Sequence, residues 1–144
     1  MRRSHLQLPF RLRWAFYASF AALFASGAAG WMVQRATTGD DFSSLSRAAL
    51  PWLLKIHGGA AMVALFVLGV LYPLHIARGW RLNRNRFWGA VLVLATALLI
   101  VTGYLLYYAS AEGLREIVSS THSWIGLAFP LIVAWHIVRG RSSR

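Results

Sequence analysis

A bundle of four membrane-spanning helices is the all-α architecture this sequence predicts, and three observations carry it. The chain has 144 residues, 58% of them hydrophobic, with a mean hydropathy of +0.52, too apolar for an ordinary water-soluble domain. Four stretches, residues 12–33, 51–77, 87–108 and 120–138, are each long and apolar enough to cross a hydrocarbon core that takes roughly 20 residues of helix. They are also too long and too evenly apolar to be alternating barrel strands. Since backbone groups in lipid must be satisfied internally, helices are the consistent assignment. Residues 1–144 are expected to form a single membrane domain.

The first span, rich in Ala, Phe and Trp, has no ionisable group between Arg13 and Arg35. It reads as a packing or lipid-facing element whose small residues permit close helix approach. Arg2 and Arg3 ahead of an apolar run, and the small residues 25–30 behind it, resemble a signal peptide and its cleavage region. The segment is nevertheless expected to be retained as a helix. The connection that follows is polar. Thr37, Thr38, Gly39, Asp40 and Asp41 suit a turn, and residues 43–49 a short interfacial helix. Pro51 suits the first turn of the second span. The third span again lacks ionisable residues, whereas the second and fourth carry two histidines each: His57 and His75, then His122 and His136.

A net charge of +11 invites a nucleic-acid partner until the charges are placed along the chain. Arg2, Arg3, Arg11 and Arg13 precede the first span, Arg78, Arg81, Arg84 and Arg86 join the second to the third, and Arg139, Arg141 and Arg144 close the chain, with no acid among them. The two remaining connections balance Arg35, Arg47, Lys55 and Arg115 against Asp40, Asp41, Glu112 and Glu116. By the positive-inside rule both termini and the 78–86 connection are expected in the cytoplasm and the other two connections outside. The positive charge is thus a topology signal for the anionic inner leaflet, and no nucleic-acid partner is expected.

Cysteine is absent, which excludes disulfides, thiolate-held iron–sulfur clusters and c-type haem attachment. Gly-rich phosphate loops, nucleophile elbows and zincin motifs do not occur, and the spans hold no paired carboxylates. Any redox chemistry therefore rests on other ligands.

Ionisable groups inside membrane spans are costly, so intramembrane histidines point to function. His57 and His75 are 18 positions apart, about five whole turns, and share one face of a regular helix; His122 and His136 are 14 apart, roughly 40° short of four turns, and share a face too. The second and fourth spans run in the same direction, outside to inside. His57 is then expected at the outer level with His122, and His75 at the inner level with His136, each pair able to clamp a flat group. Two haems with bis-imidazole ligation fit that geometry. Met62 points about 140° away from the histidine face, which disfavours an axial methionine. The levels are roughly 27 Å apart on the second span and 21 Å on the fourth, so a tilt or bend is required. Pro73, and Pro130 opposite, are placed to supply it. Ala61, Ala64 and Gly126 are small enough to leave room for a macrocycle. Phe129 and Leu68 are expected to face the gap between the levels.

Structural or proton-relay histidines are the blander alternative for each residue taken singly. A bare zinc or copper site would gather three or four ligands in one sphere, not two levels five turns apart. His5 lies in the basic tail, outside every span. Arg78 and Arg139, about one turn inside His75 and His136, are candidates to pair with haem propionates, as are Lys55 and Arg47 near the outer level. Ordinary interfacial anchoring accounts for them equally well. Trp52, Trp80, Trp88, Trp124 and Tyr107 read as aromatic-belt residues.

With His57, His75, His122 and His136 at these levels and spacings, residues 56–140 resemble the bacterial di-haem membrane cytochromes b, the class that includes the cytochrome b561 type and the b-type anchors of formate dehydrogenase and hydrogenase. Those anchors often take a ligand from the first helix, and this chain offers none there. The resemblance implies two haem b groups, a quinone or quinol and a periplasmic or membrane redox protein as exchange partners, and a place in a larger complex of the respiratory chain in a bacterial inner membrane. It implies an electron-transfer subunit rather than a self-contained enzyme. A haem-free scaffold or assembly subunit, or a small transporter with a histidine proton relay, are the alternatives.

Overall fold

A computed structural model describes residues 9–36, 44–83 and 85–142, and helix is the regular structure found among them. The helices are α1 (Phe10–Ala36), α2 (Ser44–Leu71), a π-helical turn (Tyr72–Ile76), α3 (Ala77–Arg81), α4 (Arg86–Tyr108) and α5 (Glu112–Ser142). Four runs are long and apolar enough to cross a membrane: Phe10–Ala36, Ala48–Arg81, Arg86–Tyr108 and Glu112–Gly140. The described residues are thus all-helical, with four candidate spans among them. His5, the turn expected at Thr37 to Asp41, and Arg2, Arg3, Arg84 and Arg144 of the charge pattern lie outside the described residues.

Contacts divide the chain into two units, Met1–Arg81 and Leu82–Arg144. In the first, α1 packs on α2. The first turn of α1 closes as the Arg13 N–H donates to the Pro9 carbonyl at 3.0 Å. Ser19 and Ser26 are buried on α1, a costly position for a hydroxyl unless it is bonded. Each donates back into its own helix, Ser19 to the Phe16 carbonyl at 3.0 Å and Ser26 to the Ala22 carbonyl at 2.6 Å. On α2 the buried residues are Ala64, Val67 and Leu71, the i, i+3, i+7 stripe of a packed helix face. Met62 lies 74% exposed on another side, as its angle from the histidine face requires.

Two expectations for this unit need correction. The interfacial helix expected at 43–49 and the second span are one helix from Ser44, so Pro51 sits inside α2 rather than in its first turn. Nothing between them breaks a helix, since Arg47, Ala48, Ala49 and Leu50 are all good helix formers. Further along, the bend expected at Pro73 takes the form of the π turn, in which the Ala77 N–H donates to the Tyr72 carbonyl five residues back. Proline has no N–H for the α-helical pattern and its ring collides with the carbonyl four residues before it, and a wider turn relieves both. The wider turn also takes up as much as one residue of winding. His75, inside it, therefore lags its regular-helix direction by up to about 100° and does not simply share the face of His57.

In the second unit α4 packs on α5. The chain enters α4 through Asn83 and Asn85, both in the left-handed region with φ of 55° and 46°. Asparagine adopts that region more readily than most side-chain-bearing residues. Ala95 and Thr102 of α4, with Val118 and Phe129 of α5, are buried. The fourth span was expected from about residue 120, yet α5 begins at Glu112. The apolar boundary marks where lipid begins, not where the helix does, and Glu112 suits the positive dipole end. No break accompanies Pro130, which lies within a continuous α5.

Candidate cofactor-binding site

His57 is held by α1. Its Nδ1 lies 3.1 Å from the Leu23 carbonyl and 3.1 Å from Ser26 Oγ. A carbonyl only accepts, so Nδ1 carries the proton and donates to it. Ser26 spends its own hydrogen on the Ala22 carbonyl, which leaves its oxygen to accept from the same N–H. A neutral imidazole protonated on Nδ1 keeps its lone pair on Nε2. The ring is seated against Gly27, where a methyl group would come within 3.0 Å of Cε1 and 3.3 Å of Nδ1.

The second unit repeats this arrangement. Thr102 Oγ1 donates to the Leu98 carbonyl at 2.6 Å and lies 2.9 Å from His122 Nδ1. With its hydrogen spent on the Leu98 carbonyl, the threonine oxygen is left as an acceptor for an N–H at Nδ1, a bond that would put the lone pair on Nε2. A methyl group at Gly103 would come within 3.3 Å of His122 Cε1. Ser26–Gly27 on α1 and Thr102–Gly103 on α4 are thus two seats of one design, a hydroxyl followed by a glycine, each docking an imidazole from the next long helix.

His136 lies further along α5, its ring towards Gly89 of α4, where a methyl group would lie 3.8 Å from Cε1. Its carbonyl accepts from Asn85 Nδ2 at 3.2 Å, and Trp135 beside it meets Trp88 edge-on with centroids 5.7 Å apart. His75 is half-exposed in the π turn. Within each unit the two histidines stand at separate levels, and no cluster of three or more His, Cys, Asp or Glu forms among the described residues. No known family, curated protein or solved structure matches this chain.

Of the small residues expected to leave space for a macrocycle, Ala64 is buried, Ala61 is half-buried, and a methyl group at Gly126 would meet Leu99 Cδ2 at 3.8 Å. Phe129, expected in the gap between levels, is 6% exposed in the α4–α5 unit. With the fourth span expected from about residue 120, His122 would lie near its start; α5 begins ten residues before His122, which sets it roughly 15 Å along the helix. Arg139 stacks over the Trp135 ring at 5.3 Å and Lys55 over Trp52 at 4.7 Å, while Arg78 is exposed. Trp52, Trp80, Trp124 and Tyr107 are exposed, whereas Trp88, also expected in the aromatic belt, is half-buried and packs edge-on against Trp135.

Ser26, Gly27, Thr102, Gly103 and Asn85 were not singled out from the sequence, because none bears chemistry by its type alone. The signal was a hydroxyl–glycine pair in each of the two spans that lack histidine.

Proposed function

We propose that the chain is a di-haem b-type cytochrome of the membrane, with His57 and His122 as axial ligands of an outer haem and His75 and His136 of an inner one. The observation that carries this is the seating of His57 and His122 through Nδ1 against oxygens of the neighbouring helix. An axial imidazole binds iron through one nitrogen while the other donates to a fixed acceptor that sets the ring's tautomer and orientation. In both rings Nδ1 is the nitrogen that faces an oxygen of the neighbouring helix, inside candidate membrane spans, which leaves Nε2 as the nitrogen to ligate iron. Haem held there would supply a one-electron couple within the bilayer. The chain's own residues orient the imidazoles, exclude water with apolar helix surface and place Arg78 and Arg139 near the inner ends, where they pair with propionates or anchor the helices.

The pairing follows from depth and direction in the sequence, with both termini and the 78–86 connection cytoplasmic. Electron exchange with a quinone pool and with an outer-side or membrane redox protein follows from the resemblance to di-haem membrane cytochromes b. A chain with no flavin or nicotinamide motif and no cysteine acts as a relay subunit in a larger bacterial inner-membrane complex.

Purified protein from haem-replete cells is expected to show a redox-active Soret and alpha band and two haems per chain by pyridine haemochrome assay. His57→Ala or His122→Ala removes one haem, and His75→Ala or His136→Ala removes the other. Colourless protein, or a stoichiometry of one in intact material, overturns the two-haem proposal. In proteoliposomes a quinol or the copurified partner should reduce or oxidise the haems on a turnover timescale. Reduction by dithionite alone sinks the relay.

A further inference from the structure

We propose that Ser26 and Thr102 are positioning residues that hold His57 and His122 in the Nδ1-protonated tautomer, presenting Nε2 for ligation. This rests on the di-haem proposal for its purpose, but not for its geometry. Both residues are buried, at 6% and 7% exposure, and each hydroxyl gives its hydrogen at 2.6 Å to the carbonyl four residues back in its own helix. A serine or threonine with a free hydrogen could donate to imidazole as readily as accept from it, so by itself it would fix no tautomer. Once the hydrogen is spent on the helix backbone, only the lone pairs face the ring, at 3.1 Å for Ser26 and 2.9 Å for Thr102.

The adjacent glycine completes the device. With no side chain at 27 or 103, the Nδ1–Cε1 edge of the ring approaches the partner helix closely enough to reach the hydroxyl. The same four-part arrangement occurs on helices of unrelated sequence: an i−4 carbonyl, a hydroxyl, a glycine and an imidazole. Both of its histidines are those expected at the outer level. An acceptor on Nδ1–H raises the basicity of the ligating nitrogen, which favours the ferric state. With a haem held by these histidines, Ser26 and Thr102 would therefore lower its potential.

The test has two arms on the full-length chain. Nitrogen-15 NMR of histidine-labelled protein without haem, at alkaline pH where the rings are neutral, reads the tautomer directly. His57 and His122 should be Nδ1-protonated in the native chain. Thr102→Val should shift His122 towards the Nε2-protonated form, and Thr102→Ser should restore it. Ser26→Ala should give a smaller shift at His57, because the Leu23 carbonyl remains, and Ser26→Thr should give none. The second arm is potentiometric titration of haem-loaded protein, where Thr102→Val should move the outer haem to a more positive midpoint and leave the inner haem unchanged. Should the chain take up no haem, the function proposal fails while the NMR arm still decides this one. An unchanged His122 tautomer in a folded Thr102→Val protein, or equal potential shifts of both haems, overturns the positioning role.

Discussion

At position 27 the backbone of α1 and the imidazole of His57 approach so closely that a methyl group would stand 3.0 Å from Cε1, nearer than carbon atoms rest. A ring displaced to make room would lengthen its Leu23 and Ser26 contacts at Nδ1, both already 3.1 Å. Gly27→Ala is therefore expected to destabilise the protein by about 1–3 kcal/mol, the ordinary cost of overpacking, and to weaken haem retention. Gly103→Ala, at 3.3 Å, should act in the same direction and less severely. Gly30 on the same helix has nothing within 4 Å, so Gly30→Ala is the neutral control. Thermal denaturation in detergent, followed by absorbance, compares the three. Glycine shows in a sequence only as small and flexible, so residues 25–30 also read as a cleavage region. The imidazole that makes Gly27 necessary is 30 residues away.

Helix limits and helix phase were legible to different degrees. The four apolar stretches were plain, because a span demands many consecutive residues of one kind. Their helices reach outward past the apolar limits, α2 from Ser44 and α5 from Glu112, because helix propensity does not stop where hydrophobicity does. Phase was harder. Counting 100° per residue placed His75 on the face of His57, and one proline altered the count by widening the turn around it. Pro73→Ala restores an N–H and removes the clash, so the five-residue turn is expected to relax towards α-helix and turn His75 by up to about 100°. In haem-loaded protein this should alter or abolish the inner low-spin ferric EPR signal and leave the outer one intact. Pro130 sits in an uninterrupted helix, and Pro130→Ala should change neither signal.

For the molecule as a whole, the charge pattern makes the sharpest expectation, and the absence of cysteine makes it easy to check. With single cysteines introduced by Arg81→Cys or Glu112→Cys, a membrane-impermeant maleimide should label position 81 only from the cytoplasmic side and position 112 only from outside. The reverse pattern, or labelling of both from one side, contradicts the topology. The number of spans was readable because lipid demands long apolar runs, and the four histidines because each departs from what lipid tolerates cheaply. The seats were not, because they depend on which helix each histidine leans against, and spacing along one helix carries no information about its neighbour. Each histidine seat is built from helices adjacent in the chain, α1 with α2 and α4 with α5. That has a consequence in time rather than in space. The 51 residues from Leu71 to His122 take roughly 2.5–10 s to synthesise at about 5–20 residues per second, whereas a helix forms within about a microsecond. His57 can therefore be docked on Ser26 and Gly27, its tautomer set, while His122 has yet to leave the ribosome.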